Sequence, residues 1–162
     1  MTITGKDPVD VLIVAVQETA GSALYGMLDV LLAAGNIWQT LVRTGAEQTL
    51  FRVRIVSPTA EPFACGNGIP AVPDCSVADN PGASILILPE LWLGPDEDIH
   101  GRYPELMDWI RHRYKEGSTL YSACSGSVML AESGLLDGYE ATSHWGYQDL
   151  FSKRYPKVRF RP

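Results

Sequence analysis

Cys124, Ser125 and Gly126 stand at the joint between two short segments of opposite character. Residues 119–123 (TLYSA) are β-branched, aromatic and small, and read as a strand. Residues 127–136 place Val128, Leu130, Ala131, Leu135 and Leu136 where a helix would bury them. A strand that turns sharply into a helix presents its joint residue at the strand's carboxyl edge, beside the first free N–H groups of the helix. Those donors favour an anion, so a cysteine there is a candidate nucleophile activated as its thiolate. The small neighbours Ala123, Ser125 and Gly126 let the backbone make the bend. The same residues admit a plainer reading, a core cysteine packed between strand and helix. Cys65 and Cys75 read as packing or surface thiols. Three dispersed Cys and three dispersed His give no zinc-ligand spacing, so no metal is expected. Gly66-Asn67-Gly68 is followed by no helix and is not a phosphate-binding loop, and no cofactor is expected either. Tyr25, Leu91 and Trp92 are candidates for the lining of a ligand pocket.

The elements that must position this joint alternate along the chain. Residues 9–16 (VDVLIVAV) form a near-continuous apolar run, the pattern of a parallel strand covered on both faces. Ser22 can cap a helix whose Leu24, Met27, Leu28, Leu31 and Leu32 share one stripe and which ends near Gly35. Residues 51–57 read as a second strand, residues 62–73 as a hairpin around Gly66-Asn67-Gly68, and residues 84–88 as a buried strand stopped by Pro89. A helix over 103–114 follows, with Tyr103, Leu106, Met107, Ile110 and Tyr114 inward. After the elbow come a short strand at 140–143, a helix at 145–154 with Tyr147, Leu150 and Phe151 inward, and the start of a strand at 157–160. Alternating strands and helices predict an α/β fold, a three-layer sandwich whose mostly parallel central sheet carries helices on both faces. Ligand sites in such sheets lie beyond the carboxyl ends of the strands, where Cys124 stands.

Composition bounds the rest. A chain of 162 residues, 46% hydrophobic, can bury a single core. Its net charge of −6 argues against its gripping a nucleic-acid backbone, and the basic residues Lys153, Arg154, Lys157, Arg159 and Arg161 read as a solvated helix face and strand edge. An odd number of scattered cysteines is no disulfide framework. With neither a signal peptide nor a long apolar span, no membrane is expected and the cytoplasm is the expected compartment. Residues 1–8 read as a disordered lead before a single domain over 9–162.

The run ACSGSVMLAESGLLDGYEATSHW, followed by DLFSKRYPKVRF, closely resembles the ThiJ/PfpI superfamily of class I glutamine amidotransferase-like folds. Within it, the chain is most similar to the N-terminal sensor domains of GlxA-like, AraC-type transcription regulators. The resemblance is strong over residues 120–160. It implies that Cys124 is the elbow cysteine and that His144, in Thr142-Ser143-His144-Trp145, is the site histidine. His144 could take the thiol proton or form a thiolate–imidazolium pair with Cys124, or else simply cap the helix that follows. The resembled sensor domains continue past the match to Phe160 with another strand and a helix, then two helix-turn-helix units. The domain is therefore expected to be truncated at its C-terminal end, and DNA contact is expected only through a helix-turn-helix domain outside this chain.

The departures from the superfamily pattern bear on function. The enzymes commonly carry an acid on the turn into the first helix, and Ala23 occupies that position. Glu18, at the end of the first strand, could substitute for it, or could be a solvated loop glutamate. Pro89-Glu90-Leu91 stands where many relatives have Pro-Gly-Gly, and Glu90 adds a negative charge where an oxyanion would need donors. Ser125 replaces the histidine of protease-like relatives. The resemblance thus implies a ligand-sensing and dimerisation domain of an AraC-type regulator, a homodimer with a small-molecule effector and an incomplete catalytic site. The alternative is a cysteine-dependent hydrolase or hydratase, isonitrile hydratase-like or glyoxalase-like.

Overall fold

The computed structural model describes residues 7–42, 48–94, 97 and 99–161. Most of the segment read as a disordered lead, residues 1–6, lies outside them. In chain order the elements are β1 (Val9–Val14), α1 (Gly21–Ala33), α2 (Ile37–Val42), β2 (Phe51–Ser57), β3 (Phe63–Cys65), β4 (Ile69–Ala71), β5 (Cys75–Ser76), β6 (Ile85–Leu88), α3 (Pro104–Lys115), β7 (Thr119–Ser122), α4 (Ser127–Glu132), β8 (Glu140–Ala141), α5 (Gln148–Arg154) and β9 (Arg159–Phe160). Among the described residues β5, β2, β1, β6 and β7 form the central sheet in that order, each pair parallel. This is the expected α/β architecture.

The period-2 alternation of the strands sorts the sheet into two faces. Leu12, Val14, Leu86 and Leu88 pack with α3, α4 and α5, contributing Leu106, Ile110, Met129 and Phe151 among others. Ile13, Ile55 and Leu24 form a second cluster under α1. Helices therefore cover both faces, and the layers number three. Register aligns Ile55, Ile13, Ile87 and Tyr121 in one row across the α1 face. Exposure along that row rises from 0% at Ile13 to 55% at Tyr121, because α1 covers the middle of the sheet and leaves the edge strand β7 bare.

The Gly66-Asn67-Gly68 hairpin forms as expected, with Asn67 at φ +60° between β3 and β4. Several boundaries differ from the sequence reading. Ala20, not Ser22, precedes the first turn of α1, and no side chain caps it. The elbow helix stops at Glu132, where Gly134 turns at φ +78°. In α3 the inward stripe takes in Trp109 and leaves Tyr114 half exposed, since the helix packs with its 106–107–110 ridge centred on the sheet. Residues 145–147 make a 3₁₀ turn before α5 begins. The two final strands pair with each other, β8 with β9, and add nothing to the central sheet.

Candidate functional site

Cys124 sits where β7 ends and the chain turns into a 3₁₀ turn and then α4. Its φ of +50° lies in the left-handed region, which a β-carbon makes costly, and the surrounding contacts hold it there. Its carbonyl accepts from the Ser127 hydroxyl at 2.9 Å and the Ser143 hydroxyl at 3.0 Å. Gly126 has no room for a side chain: a β-carbon there would lie 2.1 Å from the Leu88 carbonyl oxygen. Of the three cysteines only Cys124 is exposed, while burial pushes the Cys65 and Cys75 thiols up from their ordinary range. The joint is thus a sharp elbow that displays one thiol.

Ser125 points the other way. It is fully buried, its Oγ accepting from the Leu91 N–H at 2.8 Å and donating to the Leu91 carbonyl at 2.8 Å. Thr19 and Leu91 form an antiparallel bridge, whose bonds run through their neighbours, Ala20 N–H to the Glu90 carbonyl and Trp92 N–H to the Glu18 carbonyl. Leu91's own N–H and carbonyl therefore face away from Thr19, onto Ser125. The Leu91 side chain is core, 1% exposed, and does not line a pocket. The Leu91 N–H, a donor that an oxyanion site would use, is occupied within the fold.

The two acid candidates separate. Glu18 is not a solvated loop residue: its carboxylate takes a 2.6 Å bond from Arg102 and a 2.6 Å bond from the Tyr103 phenol. Burial first, and then the bond to Glu18, push the Tyr103 phenol well above its usual range. Glu18 therefore ties Arg102 and Tyr103 to the end of β1. Ala23 lies beside the elbow, lining with Ser22, Gly26, Met27, Tyr121 and Ala123 an apolar groove of about 650 Å³ between α1 and β7. It brings no acid there. Tyr25 instead donates its hydroxyl to the Pro70 carbonyl at 2.7 Å, bracing the hairpin against α1.

His144 caps the turn after it, Nδ1 accepting from the Gly146 N–H at 3.1 Å, with its ring exposed. The His144 ring lies 5.1 Å from the Trp145 ring and 6.1 Å from the Tyr147 ring. Tyr147 is the site residue that sequence reading assigned only to packing. It is half-buried, donates to the Leu93 carbonyl at 2.9 Å, and has its phenol pushed up by burial and by the negative groups of Cys124 and Glu90. Its spacing within an amphipathic helix carried no sign of this. Glu90 is half-buried, and its carboxylate has no hydrogen-bond or ion-pair partner among the described residues. No group of three His, Cys, Asp or Glu able to hold a metal occurs among the described residues.

A three-layer parallel sheet with a cysteine elbow at its carboxyl edge is the arrangement already expected from the sequence, and the DJ-1/PfpI family model matches residues 31–158. The chain belongs to the DJ-1/PfpI family. Similar proteins divide between regulators and an enzyme. The HTH-type transcriptional regulator CdhR of Pseudomonas aeruginosa is 32% identical over 109 residues, 67% of this chain and 31% of the regulator. The isonitrile hydratase of Pseudomonas putida is 30% identical over 100 residues, 61% of this chain and 42% of the enzyme. The crystal structure of an AraC family transcriptional regulator from Pseudomonas putida superimposes with a TM-score of 0.69 and 21% identity, over 96% of this chain and 77% of that one. This DJ-1/PfpI domain therefore spans about a third of the length of the curated regulator it matches. Among its described residues no helix is long and apolar enough to cross a membrane.

Proposed function

We propose that this DJ-1/PfpI domain is the ligand-sensing part of an AraC-type transcription regulator, which keeps the elbow thiol of its family but not a working catalytic site. The carrying observation is the Ser125 clasp: it uses up the Leu91 N–H, a donor that a developing oxyanion at the elbow would need. Ala23 supplies no acid to Cys124, Glu18 is bound to Arg102 and Tyr103, and the Nδ1 of His144 is engaged by its own turn. The similarity to regulators supports the same reading. In it the whole protein acts in the cytoplasm as a homodimer, a small effector occupies the elbow site, and DNA is bound by a helix-turn-helix segment rather than by this acidic domain.

A second reading is favoured by one observation. Cys124 is exposed at a left-handed elbow, as a nucleophile would be, and the isonitrile hydratase is 30% identical. It makes the domain a cysteine-dependent hydratase or hydrolase. Turnover on an alkyl isonitrile, methylglyoxal and p-nitrophenyl acetate, with Cys124→Ala as control, separates the two. The sensor reading expects no rate above that of Cys124→Ala. Multiple turnovers that vanish with the thiol would overturn it.

A further inference from the structure

We propose that the outer face of α2 is where two copies of this domain meet, which rests on the sensor reading and gives its homodimer a contact. Residues 30–42 contain no Asp, Glu, Lys, Arg or His. Within them α2 carries Ile37, Trp38, Leu41 and Val42, whose spacings of three and four positions make one apolar stripe. A helix laid on a core would turn that stripe inward. Here it faces out: no residue of α2 is buried, Trp38 is 68% exposed and Leu41 71%. Gln39 turns inward instead, its side-chain oxygen shut off from water. Core packing therefore does not set the orientation of this helix.

The stripe continues onto the elements beside it. Leu50, also exposed, lies against Gly35 at the corner between α1 and α2, where a β-carbon would meet the Leu50 Cγ at 2.5 Å. The Gln48 N–H donates to the Gly35 carbonyl at 3.1 Å, and the Asn36 amide donates to the carbonyl of the exposed Leu32 at 2.6 Å. These bonds hold Leu32, α2 and Leu50 together as one surface. Its six large apolar side chains expose roughly 600 Å², where a standard interface buries about 800 Å² per partner, about 65% of it apolar between identical subunits. One copy thus brings the apolar area that one side of a stable dimer needs. Each chain carries a net charge of −6, and like charges across a contact are costly, but this face brings none. A patch that meets its own copy across a two-fold axis closes at two chains.

The test is sedimentation of the full chain between about 1 and 100 µM. Monomers are expected to pass into dimers with no larger species. Leu41→Glu and Trp38→Gln should each raise the dimer dissociation constant at least about thirtyfold with an unchanged circular dichroism spectrum. Tyr139→Glu, at a comparably exposed position beside β8, should leave it as it is. Trp38→Phe keeps an apolar ring, so the dimer should persist while the concentration-dependent blue shift of tryptophan emission is lost. That shift reads the native contact even where a charged variant fails to fold. A monomer throughout, a ladder of larger species, a dimer that Leu41→Glu and Trp38→Gln do not weaken, or a blue shift that survives Trp38→Phe overturns the proposal. Capture of the native monomer by phosphatidylcholine vesicles also overturns it and gives the face to a lipid surface. A dimer formed elsewhere leaves the homodimer of the sensor reading standing, and the turnover assay decides that reading separately.

Discussion

Replacing Ser125 by alanine isolates the clasp that closes the elbow onto the 89–94 segment. Ser125 is 0% exposed and Leu91 1%, so water does not replace a lost partner without opening the core. The hydroxyl makes two bonds of 2.8 Å, one as acceptor and one as donor, both to the same backbone unit. Alanine leaves the Leu91 N–H and carbonyl unsatisfied together. Each orphaned buried group costs about 1–3 kcal/mol, the net value of a typical bond being near 1. The expected loss is about 2–4 kcal/mol, a shift of roughly 5–15 °C for a domain of this size. Urea unfolding followed by circular dichroism measures it, with Ser152→Ala as the control, because that exposed hydroxyl bonds only the Asp149 carbonyl in its own helix. The control should change stability by no more than about 0.5 kcal/mol. A loss of under 1 kcal/mol in Ser125→Ala, with an unchanged unfolding slope, would refute the argument. It would mean that the Leu91 groups find partners the geometry does not supply.

Gly126→Ala should prevent soluble expression or cost over about 4 kcal/mol, because its β-carbon meets backbone at the Leu88 and Pro89 carbonyls rather than a side chain that can move; wild-type yield and melting temperature would sink this. Iodoacetamide should label Cys124 well before Cys65 and Cys75, which are buried and whose thiols burial pushes up, and mass spectrometry of the three peptides reads the order directly. Tyr103 and Tyr147 have phenols raised above the usual value of about 10, so their contribution to stability is complete below pH 10 and declines as pH climbs toward their folded values. Absorbance at 295 nm should show fewer phenolates near pH 10.5 in the folded chain than in urea, and a smaller difference in Tyr103→Phe. The apolar groove along Met27, Val30, Leu31, Ile87 and Tyr121, with Val30 69% exposed, should bind a hydrophobic dye or be covered by self-association at micromolar concentration. Val30→Glu with Tyr121→Ser should abolish both, and a dye-free monomer of the native chain in sedimentation would count against it.

What local pattern encodes was readable in the chain. The apolar run of β1, the α1 stripe from Leu24 to Leu31, the hairpin at Gly66-Asn67-Gly68 and the strand–bend–helix at Cys124 each involve residues within a few positions of one another, whereas Leu32, read into the same stripe, is 47% exposed. Periodicity and backbone freedom fix such elements, and their alternation implies a parallel sheet. Ala23 and Cys124 fell at one end of that sheet for the same reason, since both follow the carboxyl ends of strands.

Tertiary structure alone decided how the site is wired. Glu18 meets Arg102 and Tyr103 across 84 and 85 residues, and Ser125 meets Leu91 across 34. A glutamate at a strand end and a serine after a cysteine look the same in sequence whether they face solvent, substrate or backbone. Tyr147 fits a buried helical stripe equally well whether its hydroxyl ends among apolar side chains or on the Leu93 carbonyl, where the fold places it. The short final strands read as part of the sheet, yet they pair only with each other. Periodicity specifies which face of an element turns inward but not which partner waits there, and a polar group's role depends on that partner. Loop closure brings such partners together only when the whole sheet has assembled.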